Sequence, residues 1–259
     1  MPQFAANLTM LFNEVPFLER FAASKAAGFD VVECQFPYAY EVGELVQLLL
    51  QYQQKMVLHN LPAGNWDAGD RGIACDPNRV NEFRAGVATA IEYATALQCK
   101  QVNCLAGKVP AGVSHARAHA TFIENLKYAA AELHTAGVRL LIEPINHFDI
   151  PGFFLTTTQQ AIAIMDEVGS NNLYLQYDIY HAQRMEGELG NTISKVLARI
   201  GHIQLADNPG RNEPGTGEIN YAWLLKHIDA LGYRGYVGCE YKPKTTTQAG
   251  LVWREHLQV

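Results

Sequence analysis

The sequence predicts an α/β protein of the (β/α)8 barrel class, and three observations support this prediction. Short apolar runs alternate with longer stretches of helical spacing from one end of the chain to the other. Parallel strands need a crossover between them, and eight such units close most naturally into a barrel. The length of 259 residues fits one barrel domain spanning 1–259, since barrels of this class commonly have about 250 residues. An open doubly wound sheet is the alternative, but no G-x-G-x-x-G follows the first run.

The apolar runs define the strands in order. The predicted strands are Phe4–Leu8, Phe29–Cys34, Lys55–His59, Gln101–Cys104, Val138–Ile142, Leu173–Tyr177, Ile200–Leu205 and Tyr236–Cys239. Apolar residues at helical spacing lie between them, for example Phe83, Val87, Ile91 and Ala94. Three glycines stand where a helix should end before the next strand, and one asparagine is a predicted N-cap. These residues are Gly28, Gly137, Gly232 and Asn220.

The loops that follow strands are longer than the loops that precede them. Four are rich in Gly and Pro: Asn60–Pro77, Ala106–Gly112, Pro144–Thr156 and Ala206–Glu218. In a barrel these loops meet on the face where active sites are found. We therefore expect the functional site at the carboxyl ends of the strands.

Composition limits the classes of function. Apolar residues make up 48% of the chain and charged residues 18%, as in a protein with a substantial core. The net charge of -6 disfavours nucleic acid as a partner. The chain lacks an apolar run long enough for a membrane helix and a start typical of a secretory signal, so a cytoplasmic location is expected. The cysteines form no C-x-x-C pair and are predicted to be reduced core residues: Cys34, Cys75, Cys99, Cys104 and Cys239.

Four oxygen-bearing side chains follow the last four apolar runs: Glu143, Asp178, Gln204 and Glu240. A carboxylate at the end of a buried strand is costly unless it is paired or bound to a cation. Hard oxygen ligands without cysteine favour one divalent metal, Mg2+ or Mn2+, over a structural zinc site. Each carboxylate alone is equally compatible with a structural salt bridge, and Gln204 with a backbone contact. The conjunction predicts a metal site.

Other polar residues near the predicted rim suggest an anionic substrate. His181 follows Asp178 by three residues and is expected to hydrogen-bond a ligand or substrate more often than to bind metal directly. Four cations lie on loops after strands, namely Arg71, Lys108, Arg211 and Lys242. Arg211 is the predicted carboxylate contact, because Arg can bind a carboxylate through two parallel hydrogen bonds. Three aromatics could wall the pocket: Trp66, Phe12 and Tyr241.

Several longer strings resemble the hydroxypyruvate isomerase family of xylose-isomerase-like TIM barrels. They are Phe4-Ala5-Ala6-Asn7-Leu8, His59-Asn60-Leu61-Pro62-Ala63-Gly64, Ile142-Glu143-Pro144-Ile145-Asn146, Asp178-Ile179-Tyr180-His181, Gly215-Thr216-Gly217-Glu218-Ile219 and Glu240-Tyr241-Lys242-Pro243. The resemblance spans nearly the full length of the chain. Close relatives that isomerise 2-oxotetronate share the scaffold, so the resemblance leaves the exact substrate open.

The resemblance implies metal ligation by Glu143, Asp178, Gln204 and Glu240, with Glu143 and Glu240 as the proton-transferring pair. Related sugar epimerases usually have His where Gln204 stands. The implied reaction converts hydroxypyruvate, a small 2-oxo acid, to tartronate semialdehyde through an enediolate. The predicted substrate-binding residues are His181, Arg211, Lys108, Lys242, Arg71 and His59.

Three rival functions stay open on the sequence. A ketose 3-epimerase would use the same two carboxylates. A phosphodiesterase resembling endonuclease IV would need several zinc ions and more histidines than His59, His147, His181 and His202 near the strand ends. A protein that only binds a sugar acid would have the pocket but no catalytic activity. Apolar outer helix faces often pair in this superfamily, so a homo-oligomer, either dimer or tetramer, is compatible with the pattern.

Overall fold

The computed structural model describes residues 2–257 and forms a closed barrel of eight parallel strands in chain order. The strands are β1 Gln3–Asn7, β2 Val31–Glu33, β3 Lys55–Asn60, β4 Gln101–Cys104, β5 Arg139–Ile142, β6 Leu173–Asp178, β7 Ile200–Leu205 and β8 Tyr236–Cys239. β1 pairs with β8 and closes the barrel. The predicted fold class is confirmed.

Helices cover the outside of the barrel. They are α1 Arg20–Ala26, α2 Val42–Gln51, α3 Val80–Ala96, α4 His115–Thr135, α5 Thr158–Val168, α6 Ile179–Met185, α7 Leu189–Val196, α8 Tyr221–Ala230, α9 Thr247–Gly250 and α10 Trp253–His256. Short 3-10 turns at Phe17–Glu19 and Leu197–Arg199 lead into α1 and β7. Among the described residues, no helix is both long and apolar enough to cross a membrane.

The predicted strand ends agree with the structure or differ from it by one or two residues. β2 is shorter than predicted, because only Val31, Val32 and Glu33 pair with the neighbouring strands. β6 is longer by one residue, because Asp178 pairs with Gln204 of β7. Asp178 is therefore the last residue of its strand and also the N-cap of α6.

The predicted helix ends are confirmed. Gly28, Gly137 and Gly232 each follow a helix with φ of 81°, 69° and 82°, the left-handed region that favours glycine. The side chain of Asn220 accepts a hydrogen bond from the backbone N–H of Trp223 and caps α8.

The core lies mainly between the strands and the helices, and it contains all five cysteines as free, buried thiols. Burial raises the pKa of Cys75 and of Cys99 to about 12. The thiols are therefore protonated core side chains, as the sequence predicts.

The interior near the carboxyl ends of the strands is polar. Several fully buried polar side chains point into it, among them Asn7, Glu33, Asn103, Gln176, His202 and Gln204. Buried polar groups are costly unless they are hydrogen-bonded. Here they bond to one another across the barrel, and the site is built on this layer.

Candidate active site

The register of the strands brings the four predicted ligands to the same end of the barrel, with the three carboxylates at the rim and Gln204 in the polar layer beneath it. Asp178 pairs with Gln204, and Gln204 pairs with Gly238, two residues before Glu240. Glu143 follows directly after β5. All four residues are at least 95% buried. Their common position follows from parallel strands whose carboxyl ends face the same way.

Glu143, Asp178 and His181 form a cluster whose spacing would allow a cation to bind. One potential ligand atom from each lies within 4.8 Å of the others. Glu143 Oε2 accepts a hydrogen bond from Asn103 Nδ2 at 2.8 Å. Asp178 Oδ1 accepts from the backbone N–H groups that begin α6, whereas its buried Oδ2 has no hydrogen-bond partner. A buried carboxylate oxygen without a donor is what a hard cation would satisfy.

The charges in this cluster also favour a cation. Burial raises the pKa of Glu143 well above its ordinary value, and the negative charges of Glu240 and Asp178 raise it further. Burial raises the pKa of Asp178 to about 7, against the opposing effect of the Arg211 guanidinium. Burial and mutual repulsion disfavour the ionised form of these carboxylates, and a divalent ion bound between them would offset both effects. The residues therefore fit the predicted metal.

Glu240 is held by three donors. Its Oε1 accepts from Gln35 Nε2 at 3.0 Å and from Asn7 Nδ2 at 3.3 Å, and its Oε2 accepts from Arg211 at 2.7 Å. Three donors on two oxygens leave this side chain as an acceptor, which is the role of an ionised carboxylate.

Arg211 is the predicted cation that the structure brings into the site. Besides Glu240 it approaches Asp178 Oδ2 at 3.9 Å and Asp149 Oδ2 at 3.8 Å, and it lies over the Tyr180 ring. Its side chain is only 20% exposed, and its backbone has a φ of 55°. The loop after β7 therefore carries the guanidinium inward over the carboxylates.

Gln204 lies in the polar layer beneath the rim. Its Nε2 donates to Glu33 Oε1 at 2.8 Å, and its Oε1 accepts from Gln176 Nε2 at 2.6 Å. None of these hydrogen bonds goes to Glu143, Asp178 or Glu240. To bind a metal, the Gln204 amide oxygen would give up its hydrogen bond from Gln176 and contact the cation instead.

His181 faces the carboxylates with a defined tautomer. Asn146 Oδ1 accepts from the backbone N–H of Asp149, so Asn146 Nδ2 is the atom that faces His181 Nδ1, at 2.7 Å. Nδ1 is thus an acceptor, and the hydrogen of the neutral ring is on Nε2. Burial lowers the pKa of His181 well below its ordinary value, and the nearby Arg211 lowers it further. The ring presents a neutral N–H donor, 3.8 Å from Asp178 Oδ2.

Among the described contacts, the four other predicted substrate-binding residues make no hydrogen bond or ion pair with the rim carboxylates. Lys108 and Lys242 are exposed on their loops. Arg71 lies over the Trp66 ring and donates to backbone carbonyls of its own loop. His59 is fully buried, its Nδ1 contacts Tyr38 and the Asn60 carbonyl, and burial lowers its pKa to about 4. Their substrate-binding roles stay predictions, without a contact to the carboxylate cluster.

Several supporting residues were missed in the sequence, namely Asn7, Glu33, Gln35, Asn103 and Asn146. Two of them could have been found by the pattern that identified the rim carboxylates, because Asn7 and Glu33 each end an apolar strand. Asn146 lay inside a string that carried the family resemblance, but its contact with His181 joins the loop after β5 to helix α6, which only the fold brings together.

The chain is similar to known proteins over its whole length. The family profile described as xylose isomerase-like TIM barrel matches residues 21–259. Hydroxypyruvate isomerase of Escherichia coli strain K12 is 58% identical, covering 98% of this chain and 99% of that protein. A 2-oxo-tetronate isomerase of Cupriavidus necator is 46% identical, covering 98% and 97%.

Solved structures agree on the fold. A Brucella melitensis crystal structure described as an AP endonuclease of family 2 has a TM-score of 0.96 and 42% identity, covering 99% of both chains. The structure of an L-ribulose 3-epimerase has a TM-score of 0.78 with 21% identity, covering 98% of this chain and 86% of that one. At that identity, the second comparison supports the barrel alone.

Proposed function

The chain belongs to the hydroxypyruvate isomerase family of xylose isomerase-like TIM barrels, and we propose that it catalyses the metal-assisted isomerisation of hydroxypyruvate to tartronate semialdehyde. One observation carries the proposal. Two buried glutamates, Glu143 and Glu240, lie at the rim with Asp178, whose Oδ2 has no donor, and Glu240 is paired with Arg211. Acid–base groups and an anion contact in one water-poor site suit a small hydroxy-keto acid.

The reaction moves a carbonyl by one carbon. A proton leaves the CH2OH carbon of hydroxypyruvate, an enediolate forms, and a proton is added to the neighbouring carbon that carried the ketone. The hydroxyl proton moves to the former ketone oxygen, so the formula is unchanged. Glu143 and Glu240 are the groups proposed to remove and return the carbon-bound proton, and the direction of reaction decides which acts first.

The other side chains have positioning tasks in this proposal. Arg211 would share its guanidinium between Glu240 and the substrate carboxylate. The Nε2–H of His181 would donate to a substrate oxygen as negative charge develops on it. Asn103 and Asn7 would hold the two glutamates in place through their hydrogen bonds.

The residues proposed to hold the metal are Glu143, Asp178, Gln204 and Glu240. Mg2+ or Mn2+ bound there would stabilise negative charge on adjacent substrate oxygens. The hard oxygen donors of the set favour these ions over softer ones.

A second candidate is 2-oxotetronate isomerisation on the same site. It is favoured by the relative of that name at 46% identity over the full chain. Its substrate is one carbon longer but carries the same carboxylate, ketone and hydroxyl. The choice between these two substrates depends on the length of the pocket, because the glutamates would carry out the same chemistry on either.

The test is product analysis on the purified protein. It should be incubated with Mg2+ and a panel of three- to six-carbon 2-oxo acids and ketoses, with carbon NMR following the carbonyl. Migration of the carbonyl in hydroxypyruvate supports the proposal. Migration in 2-oxotetronate alone supports the second candidate, and inversion of a ketose carbon with a stationary carbonyl would establish an epimerase.

A nuclease arm belongs in the same experiment, because the Brucella structure is described as an AP endonuclease. In the described part of the chain, the cluster of possible metal ligands contains one histidine, His181. That set suits one hard ion better than several zinc ions. Cleavage of abasic-site DNA with Zn2+, together with no reaction of any 2-oxo acid, would overturn the isomerase proposal.

A further inference from the structure

Glu33 is a carboxylate buried inside the barrel that the proposed reaction does not use. It is the last residue of β2, and its side chain is 1% exposed. Three side chains from other strands converge on it: Asn7 Nδ2 at 2.9 Å, Gln204 Nε2 at 2.8 Å and His202 Nε2 at 2.7 Å. Burying a carboxylate in this position costs desolvation free energy, so its presence suggests a specific role.

The hydrogen-bond directions show that all three neighbours are donors. Arg139 donates to Gln101 Oε1 at 2.8 Å, so Gln101 Nε2 faces His202 Nδ1 at 3.3 Å. His202 Nδ1 is therefore an acceptor, and the ring hydrogen on Nε2 points at Glu33. The amides of Asn7 and Gln204 also direct their nitrogen atoms at it. Glu33 acts only as an acceptor, as a carboxylate does.

Two of these donors belong to the proposed site. Gln204 has its Nε2 on Glu33, which leaves its Oε1 on the opposite side of the amide. Asn7 Nδ2 contacts both Glu33 Oε1 and Glu240 Oε1, while its Oδ1 accepts from the backbone N–H groups of Thr9 and Met10. Neither amide can rotate without losing a bond to the buried carboxylate.

Gly238 provides the space for this carboxylate. A Cβ atom at position 238 would collide with both Glu33 oxygens. Gly238 pairs with Gln204 across the β7–β8 ladder and precedes Glu240 by two residues. The glycine therefore leaves room in β8 at the point where Glu33 contacts Gln204 directly and Glu240 through Asn7.

We infer that Glu33 is a positioning residue, which sets Gln204 to present its amide oxygen as a metal ligand and, through Asn7, fixes Glu240. This inference rests on the proposed function for the metal-ligand role of Gln204 and for the acid–base role of Glu240. The part that concerns Gln204 predicts metal affinity and can be tested without a substrate. A failed isomerase assay would therefore leave it testable.

The test is Glu33→Gln, which replaces one of the two acceptor oxygens by an NH2 group, although donors face both oxygens. We expect Mn2+ affinity, measured by calorimetry, and kcat each to fall by about 10- to 100-fold, the usual effect of removing a group that orients a ligand. KM should change little, because Glu33 is not among the proposed substrate-binding residues. Glu33→Asp keeps the charge but shortens the reach, and we expect a smaller loss of both quantities.

Glu213→Gln is the matched control, because Glu213 is also a buried carboxylate, and it accepts from the Lys244 backbone N–H away from the cluster. It should keep Mn2+ affinity whatever it does to thermal stability. A folded Glu33→Gln or Glu33→Asp protein with full Mn2+ affinity and kcat overturns the inference. So does an equal loss of affinity in the control, and so does failure of both Glu33 variants to fold, which would assign Glu33 to the fold alone.

Discussion

Asn146 donates a hydrogen bond across 2.7 Å to Nδ1 of His181, and this contact decides which ring nitrogen carries the hydrogen. The two residues lie on the loop after β5 and on the helix after β6. A neutral His181 with its hydrogen on Nε2 is a donor towards the carboxylate cluster. It is less suited to bind a cation through that atom, although its distance would allow it.

Reversing this contact should impair catalysis. In Asn146→Asp, the carboxylate would accept from Nδ1, move the hydrogen away from Nε2 and remove the donor from the site. We expect kcat to fall by about 10²- to 10³-fold, the effect of losing one donor to a developing negative charge. Nitrogen NMR of the histidine ring should report the change of tautomer. His147→Gln, on the exposed neighbour, is the control, and an unchanged tautomer in Asn146→Asp would contradict the assignment.

Glu143→Gln and Glu240→Gln should each abolish most turnover. A positioned acid or base contributes about 10²- to 10⁴-fold in rate, and each amide keeps the size of the side chain it replaces. Rates can be followed by carbonyl migration, with circular dichroism to verify the fold. Glu124→Gln removes a carboxylate that is 71% exposed on α4 and should leave the rate unchanged. Near wild-type turnover in either rim variant would remove the two-glutamate scheme.

Metal-free protein should lose thermal stability as the pH rises from about 4 to about 7. The pKa of Asp178 is raised from 3.8 to about 7 in the folded protein, and that of Glu143 is raised as well. The folded state therefore binds these protons more tightly than the unfolded chain. The stability they confer is complete below about pH 4 and is lost as the pH passes through about 7.

Asp178→Asn provides the comparison for this pH dependence. The amide oxygen can still accept from the α6 backbone N–H groups, but the side chain does not titrate. Thermal melts in EDTA should show a flatter pH profile for the variant than for the wild type. Added Mg2+ should restore stability to the wild type at high pH. Identical profiles for the two proteins would contradict the raised pKa.

Arg211→Lys should lower kcat/KM for the anionic substrate by about 10- to 100-fold. Hydrogen bonds to charged groups contribute about 1.5 to 3 kcal/mol, and a lysine lacks the planar guanidinium that could donate to Glu240 and to a substrate carboxylate at the same time. Lys108→Met and Lys242→Met should have smaller effects, because both side chains are exposed and dissolved salt screens their charges. Steady-state kinetics on the three variants will rank them. A larger loss at either lysine would move the carboxylate contact away from Arg211.

The strands and the three rim carboxylates were predictable because each depends on local sequence. A buried parallel strand is a short apolar run, and an acid directly after it is conspicuous on energetic grounds. The exact strand ends were less predictable, because Asp178 joins β6 through a partner on β7. That partner, Gln204, is 26 positions away in the sequence.

The orientation of the amides and of the cations could not be read from the sequence. Asn146 and His181 are separated by 35 positions, and Glu33 and His202 by 169. Arg211 and Lys242 look alike on the sequence as loop cations. Only the inward turn of the loop after β7 distinguishes a guanidinium that contacts Glu240 from an exposed ammonium.

The burial of all five thiols makes cysteine chemistry a reporter of global opening. A thiol-directed reagent needs both access and a thiolate, and in the folded barrel these side chains offer neither. Labelling should therefore proceed only as fast as molecules transiently unfold, and a tightly bound ion or substrate should slow it. The rate of thiol labelling can therefore report how much of the protein has ligand bound, without an engineered probe.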